Sequence, residues 1–361
     1  MQRRTFLAAA GAAAATAAAT HPAPVVGQGV RELKLVTSWP KGSPGLGSSA
    51  ERLAQLITEG SGDSLQVKVF GAGELVDAFE VFDAVSAGVA DMYHSADYYW
   101  QDKSPAFSFF AAVPFGLTAD EMAAWIYRGG GQALWDELSG SFNIKPLLST
   151  NTGVQMGGWF ANEMTSVESY KGLRYRVPGL GGEVLKRLGA TVVNLPGGEI
   201  VPSLQSGAID AAEWVGPWLD LQLGLYKAAK YYYYPGFHEP GTAITLGVNK
   251  KLWDDLAPSG RSLIEIAAAA EYNESLADFN AENGAALSKL VQEHGVEVRR
   301  FEDAFLKELG TISEQVLAEI GARDPMTKRV YESFLANRKS LMDWGDVSKQ
   351  AFLNARSLAL S

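Results

Sequence analysis

Two hydrophobic periods take turns along this chain, and that alternation restricts its fold more than any other feature. Residues 33–37 alternate as a strand, and Trp39-Pro40 ends it. Leu53, Leu56 and Ile57 recur at helical spacing within 48–59, and 65–70 alternates again. Phe79, Val81, Phe82 and Val85 return to helical spacing within 77–87. A β-α-β-α order implies a largely parallel sheet flanked by helices. The same grammar resumes after residue 145. Strands are expected at 154–160, 172–177, 191–195 and 209–214, and helices at 182–188, 200–205 and 218–230. Residues 243–248 read as one further strand. Beyond 250 the chain is helical, over 263–292, 304–320 and 326–344, with one short strand at 296–301.

The expected organisation is therefore two α/β lobes with a hinged cleft, then a helical tail. The boundaries are 29–150 for lobe I, 151–238 for lobe II and 239–260 for a return strand and hinge region to lobe I. Residues 261–361 hold a long spanning helix and the C-terminal helices. Ligands of such folds sit at strand ends or between domains.

Residues 1–28 stand apart. Arg3-Arg4 precede an Ala-rich apolar run from 6 to 19, small residues and a Pro-rich exit. This is the layout of an export signal, and Arg3-Arg4-Thr5-Phe6-Leu7 resembles the twin-arginine type. Alanine is too weakly apolar for the run to be read as a membrane anchor.

Composition excludes several chemistries. The chain has no cysteine, so disulfides, thiolate metal sites and a cysteine nucleophile are impossible. With 31 Lys and Arg against 41 Asp and Glu, the net charge is −10, and removal of Arg3 and Arg4 makes it more negative still. Nucleic acid is an unsuitable partner for that balance. No GxSxG, HExxH or Walker sequence occurs. The GLGG at 179–182 lacks dinucleotide-loop spacing and reads as a flexible turn ahead of a helix.

The polar groups worth following lie in the second block. In GLRYRVPG at 172–179, Arg174 and Arg176 are expected to point to opposite sides, one to solvent and one to a cleft. Arginine offers a rigid donor fork for a carboxylate, or equally serves as a structural ion-pair partner. Glu213 and Trp214 follow an apolar strand, at the end where cleft residues belong. A carboxylate there needs a cation or a guanidinium; a surface Glu beside a core Trp is the plainer alternative. Gln155, in the strand expected at 154–160, must satisfy a half-buried amide. Asp97-Tyr98-Tyr99-Trp100 and the segment 236–241, with His238 and Glu239, join aromatics to polar groups as small-ligand sites do. Tyr231–Tyr234 reads as core padding.

Taken in order, these stretches resemble the extracytoplasmic solute-binding subunits of TRAP transporters, the DctP family. The matching stretches include LVTSWP at 35–40, VFGAGEL at 69–75, DAVSAG at 83–88 and GLRYRVPG at 172–179. VQMGGWF at 154–160, GGEIVPSLQSGAIDAAEWVGP at 197–217 and YYYPGFHEPG at 232–241 are most similar to its 2-oxo acid-binding branch. The resemblance implies a periplasmic binding-protein fold, no enzymatic activity, and delivery of a small organic acid anion, pyruvate-like, to the small and large membrane permease subunits. It maps carboxylate binding onto Arg176. It maps a cation, Na+ or alternatively Ca2+, onto the side chains of Gln155 and Glu213 and the Trp214 carbonyl, with Glu239 as a further ligand. Tyr99 and Trp100 would close on the substrate from the first lobe. It also implies a homodimer through exchanged C-terminal helices, against which these helices packing on their own lobe is the alternative. Lactate–calcium binders share the frame. An exported oxo-acid enzyme using Glu213 and His238 as acid and base, or a binder of dicarboxylates or zwitterions, are the competing readings.

Overall fold

The computed structural model describes residues 29–360, so the export-signal expectation for 1–28 lies outside the described residues. The first half runs β1 (Arg31–Thr37), α1 (Leu46–Gly60), β2 (Leu65–Phe70), α2 (Val81–Ser86) and β3 (Met92–Ser95). Two 3-10 segments follow, Asp97–Trp100 and Pro105–Phe110, then α3 (Ala119–Arg128), α4 (Gly131–Gly140) and β4 (Ile144–Asn151). The second half runs β5 (Gly158–Phe160), β6 (Arg174–Arg176), α5 (Gly179–Arg187), β7 (Thr191–Val193), α6 (Gly197–Gln205), β8 (Ala211–Ala212), α7 (Pro217–Leu223) and β9 (Tyr231–Tyr234). Then come β10 (Ala243–Asn249), α8 (Lys250–Asp255), α9 (Pro258–Gln292), β11 (Glu297–Arg300), α10 (Asp303–Gly321), α11 (Pro325–Val347) and α12 (Lys349–Leu360).

These strands form two sheets. The first has the order β2-β1-β3-β10-β4 and the second β11-β9-β5-β8-β6-β7. Only part of each is parallel. β1 pairs in parallel with β2 and β3, whereas β10 arrives from the second half and runs antiparallel between β3 and β4. In the second sheet β6 is parallel to β7 and β8, and β5 is antiparallel to β8 and β9. The strand expected in the tail, now β11, extends the second sheet beside β9.

Both sheets pack their apolar side chains against helices, in several buried clusters, the largest of which draws on both halves. Leu33 and Leu35 of β1 pack with Leu53 and Ile57 of α1 and Ile264 of α9. Phe110 stacks between Trp125 and Trp135, at 5.2 Å from each ring. Some helix starts are set by side chains. Glu121 and Thr118 form a capping box at α3, and Asp324 accepts from the Met326 and Thr327 N–H at α11, ahead of Pro325. Helix α9, 35 residues and about 50 Å long, packs on β4 and α1 of the first half and on α7 of the second. Arg52 of α1 grips its Glu271 through two bonds of 2.9 and 2.7 Å. In the tail, α10 lies on α5 and α11 lies on α3 and α4, so the two helices touch opposite halves. No side chain of α12 is buried.

The chain crosses between the sheets three times: α9 leads from β10 to β11, and two short crossings lie between β4 and β5 and between β9 and β10. The two short crossings run side by side: the Thr152 N–H donates to the Thr242 carbonyl and the Gln155 N–H to the Glu239 carbonyl, both at 3.2 Å. Gln155 is thus in a crossing and not in a strand, because the strand expected from 154 begins only at 158. Gly158, at φ 122°, is where the chain turns into the ladder. The helix expected over 218–230 is shorter, since Gly224 ends α7 in a left-handed conformation and a 3-10 turn replaces the remainder.

Candidate functional site

The second sheet and the crossings bring the sequence candidates together. Arg176 ends β6 and Glu213 directly follows β8, the strand paired beside it. Both are 1% exposed. The Arg176 guanidinium donates to the Glu213 carboxylate, to the Glu213 carbonyl at 3.2 Å and, through Nε, to the Leu195 carbonyl at 3.0 Å. Burial alone would lower its pKa, but the Glu213 carboxylate, with Tyr99, Tyr98 and Glu239, holds it above the ordinary arginine value. Its charge is permanent.

The two arginines of the strand do differ in surroundings, yet not by facing opposite ways. At i and i+2 they share a face of the sheet. Their place along the strand separates them. Arg174, at the entry end, is 44% exposed and pairs with Asp210, while Arg176, at the exit end, is enclosed.

The crossings add further groups. The second oxygen of Glu213 lies 3.5 Å from His238 Nε2. Glu239 accepts from the Thr242 hydroxyl. Burial, then the charge of Glu213, pushes Glu239 up to about 7. One ligand atom each of Glu213, His238 and Glu239 lie within 4.8 Å of one another. Gln155 Nε2 donates to Thr152 and Thr242, but its Oε1 is buried without any partner. A buried amide oxygen without a partner suits a hard cation, which prefers oxygen donors. These residues fit such an ion.

Trp214 packs its indole under the Arg176 guanidinium, 5.2 Å from centroid to charge, and edge-on to Trp39 at 6.3 Å. The turn that carries it is fixed by Asp220, which accepts the Val215 and Gly216 N–H at 3.1 and 3.2 Å, Trp159 Nε1 at 2.8 Å and the Tyr232 hydroxyl at 2.7 Å. Burial pushes Asp220 up to about 6. From the first half, the 3-10 segment 97–100 brings the Tyr99 hydroxyl to within 3.5 Å of Arg176. Trp100 does not accompany it. A 3-10 turn advances each side chain by about a third of a circle, so Trp100 points into the core, against Phe82 and Tyr93 at 5.1 and 5.9 Å. The GLGG segment is likewise no free turn. It opens α5, packed under Tyr98 and His238.

Thr152, Thr242, Asp220 and the Leu195 carbonyl escaped sequence reasoning. The roles of the two threonines come from the pairing of two crossings about ninety positions apart, while Asp220 acts from α7 and Leu195 from just beyond β7, and no local pattern marks any of them. Tyr231–Tyr234 is core padding as read, with Tyr232 and Tyr233 buried and Tyr234 exposed.

The sequence signature of the family described as bacterial extracellular solute-binding protein, family 7 (DctP), matches residues 35–324. The chain belongs to that family. A monocarboxylate 2-oxoacid-binding periplasmic protein of Nostoc sp. (strain PCC 7120) is 41% identical over 324 residues, spanning 90% of this chain and 88% of that one. A TRAP transporter solute-binding protein from Bordetella bronchiseptica, a dimer with calcium and picolinate in one active site and the other apo, matches with a TM-score of 0.90 at 34% identity over 92% of this chain and 98% of that one. One from Pseudoalteromonas atlantica, with bound sodium and pyruvate, matches with a TM-score of 0.87 at 36% identity over 90% and 99%. Members of the DctP family are the substrate-binding components of TRAP transporters. They work with membrane permeases from the periplasm, and they bind solutes rather than transform them.

Proposed function

We propose that this DctP-family protein captures a pyruvate-like 2-oxo monocarboxylate together with a cation, Na+ or alternatively Ca2+, and releases it to the permease when the lobes part. One observation carries the reading: the buried, partnerless Oε1 of Gln155, whose amide shares Thr242 with Glu239, together with the enclosed cluster of Glu213, His238 and Glu239 that Arg176 joins. Arg176 takes the substrate carboxylate with its donor fork, and Trp214 and Tyr99 exclude water around it. Gln155, Glu213, the Trp214 carbonyl and Glu239 hold the cation. The ion supplies positive charge that the keto and carboxylate oxygens share, and it removes the repulsion between Glu213 and an anionic ligand. The relatives that bind 2-oxo acids, or pyruvate with sodium, support this assignment.

The functional division is 29–150 and 151–238 as lobes, 239–260 returning to the first, and 261–361 bracing both. Residues 1–28 direct export by the twin-arginine route. The C-terminal helices join two copies into a dimer, supported by the exposed apolar side chains Trp344, Phe352 and Leu360.

The test is a tryptophan-fluorescence titration against pyruvate, longer 2-oxo acids, lactate and malonate, with the ligand recovered afterwards. The reading expects saturable responses to 2-oxo acids, weaker ones to lactate, none to malonate, and unchanged ligand. Silence towards every 2-oxo acid, or conversion of the ligand, would overturn it.

A further inference from the structure

Two threonines on the paired crossings decide which end of the Gln155 amide faces the site. Gln155 Nε2 donates to Thr152 Oγ1 at 3.0 Å and to Thr242 Oγ1 at 2.8 Å. A hydroxyl has one proton to give. Thr152 gives its proton to the Gly153 carbonyl at 3.0 Å, and also accepts the Thr242 N–H at 3.1 Å. Thr242 gives its proton to Glu239. Neither hydroxyl retains a proton for an amide oxygen. The nitrogen must therefore turn towards the threonines, and the oxygen is left on the other side, buried and unpartnered. All four side chains are almost fully enclosed, so water cannot substitute for these bonds.

We propose that Thr152 and Thr242 are positioning residues that make Gln155 an oxygen donor and thereby set the cation affinity of the site. The inference rests on the reading of the site as a cation and 2-oxo acid pocket. A reversed amide would present N–H groups, which repel a cation and would bind an anion instead. The backbone bond from Thr152 to Thr242 belongs to the same arrangement, so the amide is oriented by the connection between the sheets itself.

The test compares Thr242→Val, which removes both the acceptor for Gln155 and the donor to Glu239, with Thr242→Ser, which keeps the hydroxyl. Pyruvate affinity is measured across a calcium series, and the calcium midpoint is the readout. Outer partners of metal ligands typically contribute 10–100-fold in metal affinity, so the midpoint should rise by roughly that factor in Thr242→Val and by less than about 3-fold in Thr242→Ser. At saturating calcium, pyruvate affinity should return towards that of the unaltered protein. A merely structural role would weaken pyruvate at every calcium concentration and leave the midpoint in place, which would overturn the proposal. Equal losses in Thr242→Ser and Thr242→Val would also overturn it. Thr152→Val removes the other acceptor and carries the same expectation should Thr242→Val fail to fold. If the unaltered protein bound pyruvate without regard to calcium, the cation reading itself would fall. Calcium dependence there, with indifferent variants, refutes the role of the threonines alone.

Discussion

Arg176 and Glu213 occupy a space in which neither charge can reach water, and that fixes what mutation should do. Truncating one partner of a buried pair leaves the other charge uncompensated, at about 3–5 kcal/mol. Arg176→Ala should abolish pyruvate binding in calorimetry and also lower the melting temperature, since Glu213 is stranded. Arg176→Lys keeps the charge but not the fork, and should retain the fold while binding pyruvate more weakly. Glu213→Gln should weaken cation and acid together. An Arg176→Ala protein that titrates like the unaltered one would remove the site assignment. Arg176 and Glu213 were legible in the sequence because residue type and a place at a strand end suffice to bring them together, whereas Gln155 lies in a crossing and not in the strand expected for it. Trp100 was misplaced because adjacent residues of a 3-10 turn diverge, and the sequence shows no turn there. The role of Arg176 in contrast to Arg174 depends on how far along β6 each lies, which strand alternation does not report.

At the scale of elements, close approach and burial carry the consequences. A Cβ on Gly197, at the start of α6, would sit 2.6 Å from the Trp214 ring. Gly197→Ala should displace that indole from Arg176 and weaken pyruvate, with little change in helix content by circular dichroism. His94 in β3 has a different sensitivity. It accepts from Trp39 Nε1 at 2.9 Å and meets Thr150 at 3.0 Å, and burial lowers its pKa to about 3. The folded state thus binds the proton more weakly than the unfolded state. The stability this contributes is present above the unfolded value near 6.5 and lost as pH falls towards 3. His94→Gln should therefore be less acid-sensitive than the unaltered protein. Its stability deficit, read by urea unfolding, should narrow by about 3 kcal/mol between pH 7 and pH 4. A constant deficit would show that His94 is not buried neutral.

The same scale shows why part of the fold was unreadable. β2 and α1 were legible because each has an unmixed period, and α9 because it is a long Ala- and Glu-rich run. β5, β6 and β8 span two or three residues, too few for any period to register. β10 looks like any other strand locally, and only the chain's return to the first sheet makes it antiparallel.

The whole molecule is held across its cleft by elements that touch both halves: two paired crossings, α9, and the α10–α11 pair. Closure can be favoured by ligand only through differential affinity for the closed form. The site lies where the crossings meet the strand ends, so a bound cation and acid would bridge the moving parts. The terminal helix contributes no buried side chain. Deleting 349–360 should leave pyruvate affinity unchanged, because α12 buries nothing. It should also turn a dimer into a monomer in light scattering; a monomer before deletion would remove the dimer proposal.

The central claim is that anion and cation are held jointly by Arg176 and the oxygens of the crossings. Isothermal titration with pyruvate in metal-stripped, sodium-free buffer, repeated with calcium or sodium restored, addresses it directly. The account predicts binding at least about tenfold tighter with cation, in line with ordinary coupling energies between sites. Equal affinity in both buffers would contradict it.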